Sequence, residues 1–442
     1  MQTVSEALAQ SNPDVRSDSA SDSTRKTLLT IALLGLAIRL IISFLAVVGV
    51  LGDVSDPRLD HWRFGWETGR VARSLASGRG FSDPLVEPSG PTAWLAPGYP
   101  LVLAGIFKIF GIYSRASMAA ILALNSVISA LTCLPVFLIA RKIAGKRVAI
   151  WTACVWAVFP YSVSVASTVV WDSALSAVIL ACLVWLTLEM DEVKPMLTYL
   201  GYGALWGLGA LTNPTTLVAL PLLLGWLWFH RRGSARISLI AAGVTISMCL
   251  VVMSPWLARN YEVFHQPIPI KSNLWLEFTV GNSVEQSHWW NVEAHPSRNP
   301  SEMRDLLQTG EIEYMARKKI QAIDFIHRHS AVYLWLCFRR FIYIWFGFWS
   351  LNRAYLAQVP AHLVDAVFCS AVSIAALLGF RRALRLSNNG VVAMAAVVLG
   401  VPFVYYLTHP FPFYRHIVDP EVVILAVYGI ATARPGETTK GA

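Results

Sequence analysis

Asp60 and Glu67 stand seven residues apart in the stretch DHWRFGWETGRVARSLASGRGFS (60–82). Seven residues are two helical turns, so on a helix the two carboxylates share a face. A carboxylate held within hydrogen-bond reach of a hydroxyl can take its proton, which is the work of a general base. A third acid, Asp172, closes one apolar run and opens the next in STVVWDSALSAVIL. Ionisable groups beside membrane spans are candidates for function. Each acid also has a plain structural use. Asp172 suits a helix N-cap. Asp60 and Glu67 could simply pair with Arg63, Arg70 and Arg73 on a solvated interfacial helix, where such pairs contribute little.

Cations stand at matching places. SPWLARNYEVF (254–264) closes a span with Arg259 just outside it, and HPFPFYRHIVDPE (409–421) sets Arg415 and His416 before the last apolar run. A guanidinium can hold a phosphate through two parallel hydrogen bonds. The alternative is an anchor to lipid headgroups. Trp62, Trp66, Trp94, Trp171, Trp256, Trp289 and Trp290 fit an interfacial belt, and their faces also suit sugar rings. No HExxH or other strong metal spacing occurs among the ten histidines, and no GxGxxG or phosphate-binding loop is present.

The elements that carry these residues are membrane helices. The chain is 55% hydrophobic and 14% charged, against about 25% charged in soluble domains. Apolar runs of span length recur from Thr27 onward, too long and continuous for barrel strands. The net charge of +9 reflects basic cytoplasmic loops, not nucleic-acid binding. The six cysteines lie inside apolar runs without CxxC spacing and read as small buried hydrophobes. NPTT (213–216) reads as a turn that starts a helix.

Spans are expected at about 28–50, 117–140, 148–167, 173–190, 196–212, 215–229, 237–256, 360–380, 389–408 and 417–433. The basic loops 141–147, 230–236 and 381–385 should all be cytoplasmic. That parity holds only if 97–111, which carries Lys108, and 333–350, which carries Arg339 and Arg340, do not cross. The expected architecture is all-α and polytopic, with about ten spans and both termini inside. Residues 1–26 form a disordered tail, 27–256 a transmembrane core including the outer loop 51–116, 257–359 an outer region with an interfacial helix, 360–434 the C-terminal helices and 435–442 a tail. ETGRVARSLASGRG reads as an amphipathic helix ended by Gly78 and Gly80.

In this layout the sequence resembles the GT-C polyprenyl-phosphate-sugar glycosyltransferases of the protein mannosyltransferase and aminoarabinose transferase kind. The resemblance covers about 28–433 and rests on an ordered set of segments. ARSLASGRGFS with GPTAWLAPGYPLVLAGIFKIFG resembles the first outer loop, and VVWDSALSAVIL the second acidic loop. GALWGLGALTNPTTLVALP, SPWLARNY and FYRHIVDPEVVIL resemble later segments. Two positions depart. The usual first-loop acid falls on Phe64, with Asp60 and Glu67 one turn to either side; the usual LTRP is LTNP, with Asn213.

The resemblance implies a membrane glycosyltransferase, hexosyl or pentosyl, in a bacterial inner membrane with its site on the outer face. It would move a sugar from a polyprenyl-phosphate donor to a lipid, glycan or protein acceptor. Glu67, Asp60 and Asp172 are the catalytic candidates, and His61, Arg259, Asn260, Tyr414, Arg415 and His416 the binding candidates. Lipid delivers the donor, so no nucleotide-binding domain is needed; a divalent cation is an open cofactor. A transporter or flippase and a non-catalytic scaffold are the alternatives. A transporter would carry charge at mid-span, whereas here the charges gather on one face.

Overall fold

A computed structural model describes residues 13–49, 62–230, 235–283, 291–351, 353, 356, 362–411 and 414–433. Among them helix dominates and no strand forms; the one isolated bridge pairs Ser82 with Pro91. A membrane explains this, since lipid supplies no partners for backbone N–H and C=O groups and a helix satisfies its own.

The helices are α1 (Pro13–Val47), α2 (Glu67–Ala76), α3 (Gly98–Phe110), α4 (Arg115–Leu131), α5 (Cys133–Val158), α6 (Pro160–Thr168), α7 (Ser173–Glu189), α8 (Met196–Thr212) and α9 (Ala219–His230). They continue as α10 (Ala235–Phe264), α11 (Leu274–Gly281), α12 (Pro300–Thr309), α13 (Glu311–Arg328), α14 (Ser330–Phe346), α15 (His362–Arg385), α16 (Asn389–Gly400), α17 (Phe403–Leu407) and α18 (Asp419–Ala431).

Where they are described, the expected spans fall mostly on helices, with breaks at Phe159 and at Val401–Pro402; residues 50, 360 and 361 lie outside the described residues. Five helical stretches among the described residues are long and apolar enough to cross a bilayer: Asp22–Val47, Arg115–Val158, Ile237–Phe264, Leu363–Arg385 and Asn389–Leu407. The second is bent at Gly145, whose φ of 82° breaks α5 inside the basic loop. Helix α3 is short, 13 residues, which is about 20 Å of rise against a hydrocarbon core of about 30 Å. One expectation is corrected. Residues 13–26, read as part of a disordered tail, continue α1; extending an existing helix avoids the cost of nucleating a new one. Residues 1–12 lie outside the described residues.

Two helix pairs make the tightest contacts, and both use small residues. Gly203 and Gly207 of α8 face Thr245 and Cys249 of α10, a small-xxx-small surface that lets backbones approach. Gly379 of α15 abuts Leu425 and Gly429 of α18. Helix α18 is buried along most of its length, which suits a sequence that is apolar all round.

Arg39 lies inside the first span and is fully buried. It donates to Ser129 Oγ at 3.0 Å, Ser162 Oγ at 2.7 Å and the carbonyls of Gly35, Trp156 and Ala157. It thereby pins α1 to α4, α5 and α6.

On one side of the bundle the loop after α2 and helices α11 to α13 form their own core. Leu85 and Trp94 pack with Leu276, Val280, Met303, Leu306, Tyr314 and Met315. Asp83 organises the loop after α2: its carboxylate accepts from Ser89 N, Gly90 N, Ser74 Oγ and Ser82 Oγ. Burial alone would raise its pKa, but these bonds outweigh it and hold the group low. Gly78 and Gly80, with φ of 77° each, end α2 as the sequence suggested.

At Gly379 any Cβ would enter the Leu425 carbonyl. Gly379→Ala is therefore expected to destabilise the α15–α18 pair by about 1–3 kcal/mol. Gly105→Ala, where no atom lies within 4 Å of the added carbon, is the control in thermal unfolding of the detergent-solubilised protein.

Candidate active site

Glu67 opens α2 behind a tight turn in which Gly65 has φ of 82° and Trp66 φ of 47°. That turn carries Glu67 off the surface, to 9% exposure. Its Oε1 lies 4.0 Å from His295 Nε2. Burial raises its pKa; Arg70, one turn on, and Lys271 oppose the rise, while Glu277 adds to it.

Glu67 lines a cavity of about 530 Å³ walled by Trp66, Trp94, Trp171, Phe411 and Tyr414. Its polar lining includes Arg70, Lys271, Asn273, Glu277, His295, Arg298 and His409. Burial pushes His295 down to about 3, helped by its positive neighbours, so its imidazole is neutral near pH 7. A second cavity of about 450 Å³ is mainly apolar, with Leu95, Ala96, Tyr99, Pro100, Val218, Ile270, Leu274 and Val404 on its walls. Asp172, Asn213, Thr215 and Tyr405 are its polar end. The two cavities share Leu95, Trp171, Lys271, Asn273, Glu277, His409 and Tyr414.

Lys271 is the chemical centre of that junction. It makes no hydrogen bond or ion pair with any described residue. Its charge is felt by Glu67, Asp172 and His409 alike. Beside it, Glu277 accepts from Asn273 Nδ2 at 2.7 Å and lies 3.3 Å from His409 Nδ1. His409 is buried, which lowers its pKa against the opposing pull of Glu277.

Buried side chains clamp these segments. Arg340 of α14 donates to the carbonyls of Gly281, Tyr406 and Leu407 and to Asn282 Oδ1. It ties the end of α11 to the end of α17, and Gly281 lies directly against the Thr408 carbonyl. Glu311 accepts from Thr92 Oγ1 at 2.5 Å, Ala93 N at 2.9 Å and Ser272 Oγ at 2.6 Å. It thus joins the loop carrying Trp94 to the segment carrying Lys271. Burial raises the Glu311 carboxyl, and those bonds oppose the rise.

The structure brings some of the sequence candidates together and separates others. Glu67, Asp172 and Tyr414 line the paired cavities. Asp60 and His61 lie outside the described residues. Arg259 donates to the carbonyls of Phe81 and Thr92 and to Asn260 Oδ1, with Phe81, Trp256 and Phe264 around its guanidinium. Asn260 in turn donates to Ile268 O. Neither lines the paired cavities.

Arg415 and His416 sit deeper. Arg415 pairs with Asp419 at 2.9 Å, both nearly inaccessible, and His416 Nδ1 lies 3.2 Å from the same acid. They border a separate void of about 70 Å³.

Sequence reasoning missed Lys271, Asn273, Glu277, His295, Arg298 and His409. The available signal was PIPIKSNLWLEF (267–278), an apolar stretch interrupted by one cation and one anion on the expected outer side. Among the described residues no group of three or more His, Cys, Asp or Glu side chains is arranged to hold a metal ion.

Comparison with known proteins gives the same architecture. Residues 93–258 match the family model described as dolichyl-phosphate-mannose-protein mannosyltransferase. The oligosaccharyltransferase of Archaeoglobus fulgidus in its apo form superposes with a TM-score of 0.56 at 14% identity, over 92% of this chain and 50% of that one. The archaeal oligosaccharyltransferase AglB from the same organism, in complex with an inhibitory peptide and a dolichol-phosphate, gives the same values. The chain thus spans about half the length of these structures. ArnT from Cupriavidus metallidurans bound to undecaprenyl phosphate aligns with a TM-score of 0.40 at 14% identity, over 90% of this chain and 77% of that one. No curated protein matches the sequence.

Arg340→Met would strip donors from three buried carbonyls. It is expected to cost about 3 kcal/mol or more, since an orphaned buried acceptor loses its full desolvation energy. Arg339→Met, which among the described residues loses its hydrogen bonds to Tyr343 Oη and its contact with that ring, should cost about 1 kcal/mol or less. Thermal unfolding in detergent compares the two.

Proposed function

We propose that this chain, a member of the GT-C membrane glycosyltransferases, transfers a sugar from a polyprenyl-phosphate donor to an acceptor hydroxyl at the junction of the two cavities. Lys271 carries the proposal. An ammonium without a partner among the described residues, between an apolar cavity and a polar aromatic one, suits a ligand with an isoprenoid tail, a phosphate and a sugar. The tail lies along Leu95, Pro100, Ile270 and Val404, the phosphate meets Lys271, and the sugar faces Trp171 and Tyr414. The acceptor enters beside Glu67 and Arg70.

In the reaction the acceptor oxygen bonds to the sugar's anomeric carbon and the bond from that carbon to the phosphate oxygen breaks. The electron pair of that bond passes to the phosphate, whose growing charge Lys271 stabilises. Glu67 takes the hydroxyl proton. The phosphate role expected for Arg259 and Arg415 thereby passes to Lys271, because the two arginines are committed to carbonyls and to Asp419.

Purified protein in detergent, given a panel of polyprenyl-phosphate hexoses and pentoses, should consume at least one of them. Glu67→Gln should lower turnover about 100-fold or more with donor binding kept. Lys271→Met should weaken donor binding about tenfold or more, as loss of a charge-assisted bond implies. Turnover needs ionised Glu67, whose pKa burial raises. Activity should therefore fall on acidification through a pH above the ordinary carboxylate value of about 4.3. Full activity in both variants would refute this site.

We further infer that the site faces the outside of a bacterial inner membrane. The basic loop 141–147 and the basic end of α15 lie on the opposite side from the cavities under the charge rule. In a cysteine-free background, Gln308→Cys should react with an impermeant maleimide added to intact spheroplasts. Lys146→Cys should react only after the membrane is opened. The reverse pattern would invert the protein.

A further inference from the structure

Asp172 occupies the N-cap position of α7, yet its side chain caps nothing there. It turns aside into the apolar cavity, and its two oxygens are treated differently. Oδ2 accepts from Ser176 Oγ at 3.1 Å and from Asn213 Nδ2 at 2.8 Å. Oδ1 makes no hydrogen bond or ion pair with any described residue.

The Asn213 amide is fixed in its orientation by a second set of bonds. Its Oδ1 accepts from Thr215 N at 3.1 Å and Thr215 Oγ1 at 2.7 Å, so its NH₂ must point at Asp172. Both partners of Asp172 are therefore neutral donors to one oxygen. A proton on the carboxyl has one place that disturbs neither bond, which is Oδ1.

The direct hydrogen-bond partners of Asp172 carry no charge. Tyr99 of α3, Tyr405 of α17 and Tyr414 face Asp172, with Ser176 of α7 and Asn213 after α8. Lys271, from the segment before α11, is the cation that shares the cavity. A phosphate bound to Lys271 would take that charge for itself and meet Asp172 across an apolar wall. An ionised carboxylate would repel it, whereas a neutral acid would bind it.

We propose that Asp172 acts as an un-ionised carboxylic acid that donates a hydrogen bond from Oδ1 to the phosphate of the donor lipid. This rests on the reading that the apolar cavity holds that lipid. Burial raises the Asp172 pKa against the bonds from Asn213 and Ser176 and the charge of Lys271, which is the direction a retained proton requires. Asn213 is then a positioning residue: it occupies Oδ2 without supplying the positive charge that would ionise the acid.

The test is binding of a sugar-free polyprenyl phosphate to the purified full-length protein in detergent, by titration calorimetry. Asp172→Asn is the diagnostic variant. Its oxygen would take the bonds from Ser176 and Asn213, and its NH₂ would stand where Oδ1–H stood. It should bind within about threefold of the parent protein, while Asp172→Ala binds about tenfold more weakly.

A pH series adds a readout that a structural role would not move. Parent affinity should fall relative to Asp172→Asn as pH rises through the ionisation of Asp172; the phosphate's own titration cancels in the ratio. Equal loss in Asp172→Asn and Asp172→Ala, or a ratio flat from pH 5 to 9, would overturn the neutral-acid role. So would Asp172→Ala binding as tightly as the parent. Should Asp172→Ala fail to fold, the ratio between parent and Asp172→Asn decides alone. A parent protein that binds no polyprenyl phosphate at all would instead remove the donor-cavity reading, and this inference with it.

Discussion

Helices that stop inside or beside a membrane leave carbonyls with no water to meet them, and this chain answers with buried guanidinium groups. A helix end exposes up to four unpaired acceptors, each costly in a low dielectric. Arg39 covers Trp156 and Ala157 at the end of α5. Arg340 covers Gly281, Tyr406 and Leu407 where α11 and α17 end. Arg382 meets Gly429 near the end of α18, and Arg259 holds Phe81 and Thr92 in the loop after α2. A guanidinium carries five donors in a rigid fork, so one side chain can tie two or three chain segments together.

The site inherits its geometry from those clamps. Arg340 fixes the ends of α11 and α17, and so the spacing of Glu277 and His409. Arg259 and Glu311 both grip residues 92–93, and so set Trp94 and the segment of Lys271. With most buried cations spent on backbone, Lys271 is left as the charge available at the meeting of the cavities. That division of labour separates arginines that hold the structure from the lysine that can hold a ligand.

The two carboxylates of the paired cavities sit in unlike surroundings. Glu67 lies in the polar cavity, where burial raises its pKa and Arg70 on its own helix opposes the rise. Asp172 lies in the apolar cavity, where burial raises its pKa against the bonds from Asn213 and Ser176 and the charge of Lys271. The different roles proposed for the two acids rest on these settings, not on residue type.

The sequence by itself determined the class of protein, the helices and the acids worth watching. Period and length of apolar runs report directly on helices in lipid, because each helix closes its own hydrogen bonds and needs no distant partner. Hence most of the helices, the helix of Glu67 and its end before Gly78 were legible in the sequence. The roles of the polar side chains were not. Arg259 and Arg415 stand at span ends like phosphate ligands, yet carbonyls of Phe81 and Thr92 claim one and Asp419 the other. Lys271 stands in an unremarkable stretch, and its importance is that no described residue pairs with it. Whether a charge is spent or left over depends on which distant segments fold against it. Spacing along the chain does not encode that, so only the tertiary structure decides it.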